Sequence, residues 1–114
     1  MAKDDFHVIV YQILAYLYQR LKKGEAVQAD MLEYDSPLFA KISKRYWAYI
    51  VYNMVDMGLI AGIDFAQLDG LDVPLATNLR NCYITPYGIE YLCDNSFIAK
   101  AKKFLKDINE IVPF

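Results

Sequence analysis

The sequence predicts an α+β domain, with helices at both ends and a short two-stranded excursion between them. Three observations carry that prediction. Apolar residues recur at spacings of three and four in the stretches 4–22, 43–57 and 97–110, the period of a helix with a buried stripe. A short apolar run at 59–63 and an extended pattern at 80–84 flank a turn-rich segment and read as strands. Capping residues and glycines stand at the edges of these stretches, where helices start and stop.

The first helix is expected over 4–22. Asp4 and Asp5 stand at its start, and Arg20, Lys22 and Lys23 at its end, each sign matching the helix dipole. Phe6, Val10, Ile13, Leu14, Leu17 and Leu21 form the buried stripe, and Gly24 ends the helix. Val8, Ile9, Tyr11 and Tyr18 fall off that stripe. This helix is therefore apolar on more than one face, and either another element or another subunit must cover the second.

Residues 25–42 are less regular. Ser36 followed by Pro37 is a helix-start pair, which predicts a short helix over 37–42. Ser43 then caps the helix in SKRYWAYIVYNMVDMGLI, residues 43–60. Trp47, Ile50, Val51 and Met54 share its inner face. Lys44, Arg45, Tyr49, Tyr52, Asn53 and Asp56 share the outer one, with Tyr46 at the margin. Gly58 supplies the left-handed residue that closes many helices.

The strand at 59–63 leads into 65–81, which holds Asp69, Gly70 and Pro74 and reads as a long turn-rich excursion. The return strand, 80–84, sets Cys82 and Ile84 on one side. Thr85 and Pro86 open another helix, with Ile89 and Leu92 facing inward. Residues 94–96 break it and cap a last helix, whose stripe is Phe97, Ala101, Phe104, Leu105 and Ile108. Lys100, Lys102, Lys103 and Lys106 lie on the flanks of that helix, the ordinary place for a solvated charged face.

Three helices followed by a two-stranded excursion is the order of a winged helix-turn-helix with a β-hairpin wing, here with an appended C-terminal helix. In that arrangement the third helix enters the major groove. A single domain over 1–114 is expected, long enough for its own core.

Composition narrows the function. The chain is 56% apolar with ten tyrosines counted, and its formal charge is −2. No global positive field draws it to phosphates, so a nucleic-acid role must rest on local patches. Cys82 and Cys93 form no CxxC pair and have only His7 for company, too few ligands for structural zinc. Two buried thiols in a reducing compartment are expected, with no metal and no cofactor. The apolar stretch 6–18 is shorter than the ~20 residues of a membrane span. Acids precede it where a signal peptide carries bases. No membrane partner and a cytoplasmic location follow as expectations.

The run VDMGLIAGI at 55–63, with YITPYGIEYLCDNSFIAKAKKFLKDI at 83–108, resembles the YjcQ family of small bacterial and phage proteins, which is largely uncharacterised. The shared features are a helix ending in glycine and two apolar residues, then Thr85, Gly88, Tyr91 and Leu92 at the turn into a helix. A lysine-rich terminal helix follows, and the similarity takes in the first helix as well. Segment 25–42 and the wing match less well. The resemblance implies a winged-helix fold and brings no catalytic residue with it.

Catalysis is not expected. The five glycines are scattered, so no phosphate cradle forms. His7 has no nucleophile at a recognisable spacing, and Asp69 and Asp72 are ordinary turn formers. Two binding roles remain. For duplex DNA the candidate residues are Lys44, Arg45, Tyr46, Tyr49, Tyr52, Asn53 and, near the wing, Arg80. Two or three phosphate contacts give weak binding, so a homodimer would be required. A protein-interaction module, dimeric or accessory, uses the same tyrosines as anchors. Its further interface candidates are Tyr11, Tyr18, Phe97, Phe104 and Ile111. The sequence ranks a DNA-binding regulatory module first and the protein module second. Both readings fail if the helix 43–57 is covered on both sides by its own chain.

Overall fold

A computed structural model describes residues 1–110. The described residues form four α-helices and a split β-hairpin: α1 Phe6–Lys23, α2 Lys44–Asp56, β1 Ile60–Ala61, β2 Asp64–Ala66, β3 Leu75–Thr77, β4 Tyr83–Ile84, α3 Pro86–Asp94 and α4 Ser96–Asp107. The fold is α+β.

Helix α1 is the centre of the molecule. Every residue from position 8 to 17 is buried, and α2, α3, α4 and β4 all pack on it. A helix enclosed all round has no need of a polar face, which accounts for Val8 and Ile9 lying off the stripe. The chain itself covers the second face. Tyr11 is 0% exposed, so its candidacy as an interface residue is corrected: it has no surface to offer. Leu21, expected in the buried stripe, is exposed because the last turn of α1 runs past its neighbours.

The expected helix at 37–42 is absent. A 3-10 turn at Ala29–Leu32 is the sole helical piece between α1 and α2. Ser36 Oγ does accept from the Leu38 amide at 3.0 Å, but no backbone ladder follows. Only six positions precede the next cap at Ser43, too few to repay the cost of nucleating a helix. Phe39 is instead inserted into the core as a single anchor, with Leu38 and Ile42 packed beside it.

Helix α2 begins where Ser43 Oγ accepts from the Tyr46 amide at 3.1 Å. It ends in a Schellman turn: Gly58, at φ 79°, donates to Val55, and Leu59 donates to Met54. That turn aims the chain into β1. β1 pairs antiparallel with β4, Ile60 opposite Ile84, and β2 pairs with β3, Phe65 opposite Ala76. The segment expected as one long turn therefore carries its own ladder. Between the two ladders, residues 62–63 face residues 78–82, and the pairing breaks. Gly62 sits there at φ 89°, where a Cβ would stand 2.1 Å from the Asn81 carbonyl oxygen.

Thr85 fastens the hairpin base to α3. Its hydroxyl donates to the Gly58 carbonyl and accepts from the Gly88 amide, capping the helix whose first residue is Pro86. Gly88 lies under the β1 chain: a Cβ there would come 2.2 Å from the Leu59 carbonyl oxygen. The Thr-x-x-Gly spacing is thus a fold device, one residue tying and the other making room. Asn95 caps α4 by accepting from the Phe97 and Ile98 amides.

Of the two thiols expected to be buried, Cys82 is, but Cys93 is exposed on α3, because the inward face of that helix is taken by Gly88 and Leu92.

Candidate functional site

The outer strip of α2 lies open between two flanks. On its inner side Trp47 is 1% exposed, and its indole Nε1 donates to the Leu32 carbonyl at 2.8 Å. On its outer side Tyr49 is 46% and Tyr52 40% exposed. The helical period turns these phenols away from the core, as the sequence predicts.

The hairpin forms one flank. Tyr52 meets Phe65 edge-on, with ring centres 5.4 Å apart. Arg45 Nε and Nη2 donate to the two carboxylate oxygens of Asp72 at 2.7 and 2.6 Å. That bidentate pair holds the Arg45 guanidinium more firmly protonated and lowers the pKa of the Asp72 carboxyl.

The start of α1 forms the other flank. Tyr46 donates its hydroxyl to the Asp4 carbonyl at 2.7 Å. Partial burial, then the nearby Asp4 and Asp5 carboxylates, raise the pKa of its phenol. Tyr49 meets Phe6 edge-on at 6.4 Å. Phe6 in turn meets His7, and His7 stacks on Phe97 of α4 with ring centres 4.9 Å apart. Burial lowers the His7 pKa, with Asp5 opposing. Asn53, half-buried, spends its amide donor on the Tyr49 carbonyl.

Lys44 is exposed over the Tyr34 ring, Arg45 is paired, and Arg80 lies exposed in a 3-10 turn at Leu79–Asn81. Asp56 closes the far end of the strip. Among the interface candidates, Phe97 is 51% exposed and carries the Lys100 ammonium over its ring. Tyr18 and Phe104 are half-buried against the core, with Lys22 over the Tyr18 ring. Ile111 lies outside the described residues.

Sequence reasoning missed Asp72, Phe6 and Phe65 as neighbours of α2. Asp72 lies in a turn and its partner 27 positions away, so no local spacing joins them. Phe6 fits the buried stripe of α1 and gives no sign of its exposed edge.

Among the described residues no group of three or more His, Cys, Asp or Glu side chains is placed to hold a metal ion. No helix among them is long and apolar enough to cross a membrane.

The model of one protein family, described as YjcQ protein, matches residues 11–111. The chain belongs to the YjcQ family. No curated protein and no solved structure matches it. In this YjcQ chain the motif residues Thr85, Gly88 and Leu92 serve the fold, as the tie and the close approach at the hairpin base show. Tyr91 adds a half-buried ring beside the exposed Tyr87, with centres 6.4 Å apart. None of the four lies on the outer strip of α2.

Proposed function

We propose that this YjcQ chain is a non-catalytic protein-interaction module of winged-helix type, and that the outer strip of α2 with the adjoining hairpin is its docking face. The observation that carries this reading is the ion pair between Arg45 and Asp72. It commits the guanidinium that duplex DNA would need and leaves Tyr49 and Tyr52 as exposed aromatic groups of the α2 strip. Tyrosine buries a large area with few rotors, which makes it an anchor in protein interfaces. Two free thiols support a reducing compartment, the cytoplasm.

The element order supports the winged-helix reading, with α2 in the recognition position and the hairpin as the wing. The turn-rich 37–42 segment stands where a helix-turn-helix has its second helix.

Duplex DNA is the second reading. It draws on the hairpin tip lying beside the start of α2, and on Lys44 and Arg80, which carry no ion pair among the described residues. Two cations give a shallow dependence on salt, with a slope of about 0.9 per phosphate.

A photo-crosslinking residue in place of Tyr52 tests the first reading in cells. A specific protein adduct is expected from that site and not from Lys106 on α4. The purified partner should bind the wild-type chain and lose the Tyr52→Glu variant. Binding to random duplex at low salt, abolished when Lys44 and Arg45 both become glutamate, would instead establish the second reading.

A further inference from the structure

A ribbon of four rings crosses the surface from α2, over the start of α1, to the start of α4. Tyr49 to Phe6 is 6.4 Å, Phe6 to His7 is 5.3 Å, and His7 to Phe97 is 4.9 Å between ring centres. The outermost rings are the most exposed, Tyr49 at 46% and Phe97 at 51%. Each ring rests on the next, so the ribbon is already ordered before anything docks on it. Ordering of side chains, a main cost of association, is largely met in advance.

The two ends of the ribbon carry opposite charge. At the α2 end, Tyr46 is bonded to the Asp4 backbone and the Asp4 carboxylate acts on its phenol, while Asp5 lies between the ends and acts on both Tyr46 and His7. Asp5 also accepts from the Ala2 amide, while the Asp4 side chain is exposed. At the α4 end, the Lys100 ammonium stands 5.4 Å from the Phe97 ring centre. Rings in the middle and charges at the margin are the layout of an interface core with a polar rim.

A surface with acid at one end and base at the other is complementary to itself under a two-fold rotation. Half a turn lays each basic end on the partner's acidic end and sets ring against ring. The acids disfavour nucleic acid at this surface, and a foreign protein would need to match a pattern that a second copy matches automatically.

We propose that a second copy of this chain docks on the ring ribbon, related by a two-fold axis, with Lys100 of each protomer against Asp4 of the other. The inference rests on the reading that the exposed rings recognise protein, and it names the partner for the α1–α4 side of them.

Sedimentation equilibrium of the full chain over a wide concentration range tests it. A monomer–dimer equilibrium is expected, abolished by Phe97→Glu. Asp4→Lys alone and Lys100→Glu alone should each weaken the dimer roughly tenfold, since each sets like charges together. Mixing those two single variants should recover it as a heterodimer, because every cross-pair is then of opposite sign. All three positions are exposed, and circular dichroism checks that each variant is folded. Should Phe97→Glu fail to fold, the charge variants carry the test. A monomer at every concentration, a dimer indifferent to Phe97→Glu, or no recovery on mixing overturns the second-copy inference. The Tyr52 crosslink then still decides whether the chain recognises a different protein.

Discussion

Arg45 and Asp72, 27 positions apart, meet through two short parallel hydrogen bonds that pin the hairpin tip to the first turn of α2. The pair is a fork-to-fork contact of the geometrically specific kind. Both side chains are well exposed, so the pair orders the tip more than it stabilises the fold. Asp72→Asn should leave the thermal midpoint close to wild type. Amide exchange at residues 75–77 should accelerate, and the same acceleration should appear in the wild-type chain at high salt. Unchanged exchange in Asp72→Asn would mean that the ladder alone holds the tip.

Freeing Arg45 bears directly on the two functional readings. Asp72→Asn leaves Lys44, Arg45 and Arg80 all uncommitted. Weak, salt-sensitive duplex binding should then appear or strengthen, measured by fluorescence anisotropy, with a slope approaching that of three phosphates. If Asp72→Asn gains no affinity, the ion pair is not what keeps this face from DNA.

Gly88 and Gly70 separate fold requirement from turn preference. A Cβ at Gly88 would meet the Leu59 carbonyl oxygen at 2.2 Å and Ile84 Cγ1 at 2.8 Å, so the β1 chain would have to move. Gly88→Ala should cost about 1–3 kcal/mol, even though alanine is the better helix former. Gly70, at φ 84°, has open space around it, and Gly70→Ala should cost only the left-handed penalty of about 1–2 kcal/mol. Urea titration of both variants measures the difference. No loss in Gly88→Ala would show that the backbone at Leu59 yields freely.

The helices were legible wherever a cap, a stripe and a stop agreed. Ser43, Trp47 through Met54 and Gly58 supply all three for α2, and the observed helix begins one residue after that cap. The 37–42 segment has the cap and the proline but only six positions. There the burial of Phe39 outweighs a weak local preference, which periodicity cannot reveal. The outward aim of Tyr49 and Tyr52 follows from the helical period. What flanks them does not, because Phe6, Phe65 and Asp72 reach α2 only through the tertiary fold. Tyr11 was misread for a related reason. Off-stripe position implies a second contact, and the sequence cannot say that α1 is enclosed by its own chain.

The two thiols should react at very different rates. Cys93 is exposed, while burial pushes the Cys82 thiol up to about 12. The thiolate is the reactive form, so Cys82 is protected twice, by access and by protonation. An aromatic disulfide reagent at pH 8 should label one thiol per chain quickly and the second only with global unfolding. Cys93→Ser should remove the fast phase alone. Rapid labelling of both would contradict the packing of Ile84 and Cys82 against α1.

Tyr11 gives the chain an alkaline limit. Burial raises its phenol from an ordinary 10.0 to about 12. The folded state therefore holds this proton where the unfolded chain has released it. Stability from this group is fully present below pH 10 and falls as pH rises from 10 towards 12. Over that window the loss amounts to about 2 kcal/mol, at 1.36 kcal/mol per unit of pKa. Tyr11→Phe removes the titration, so the stability gap between wild type and variant should shift in favour of the variant across the same window. Urea midpoints taken at successive pH values measure this. A gap that stays constant to pH 12 would mean that the phenol ionises equally in both states, which a side chain with no exposed surface does not permit.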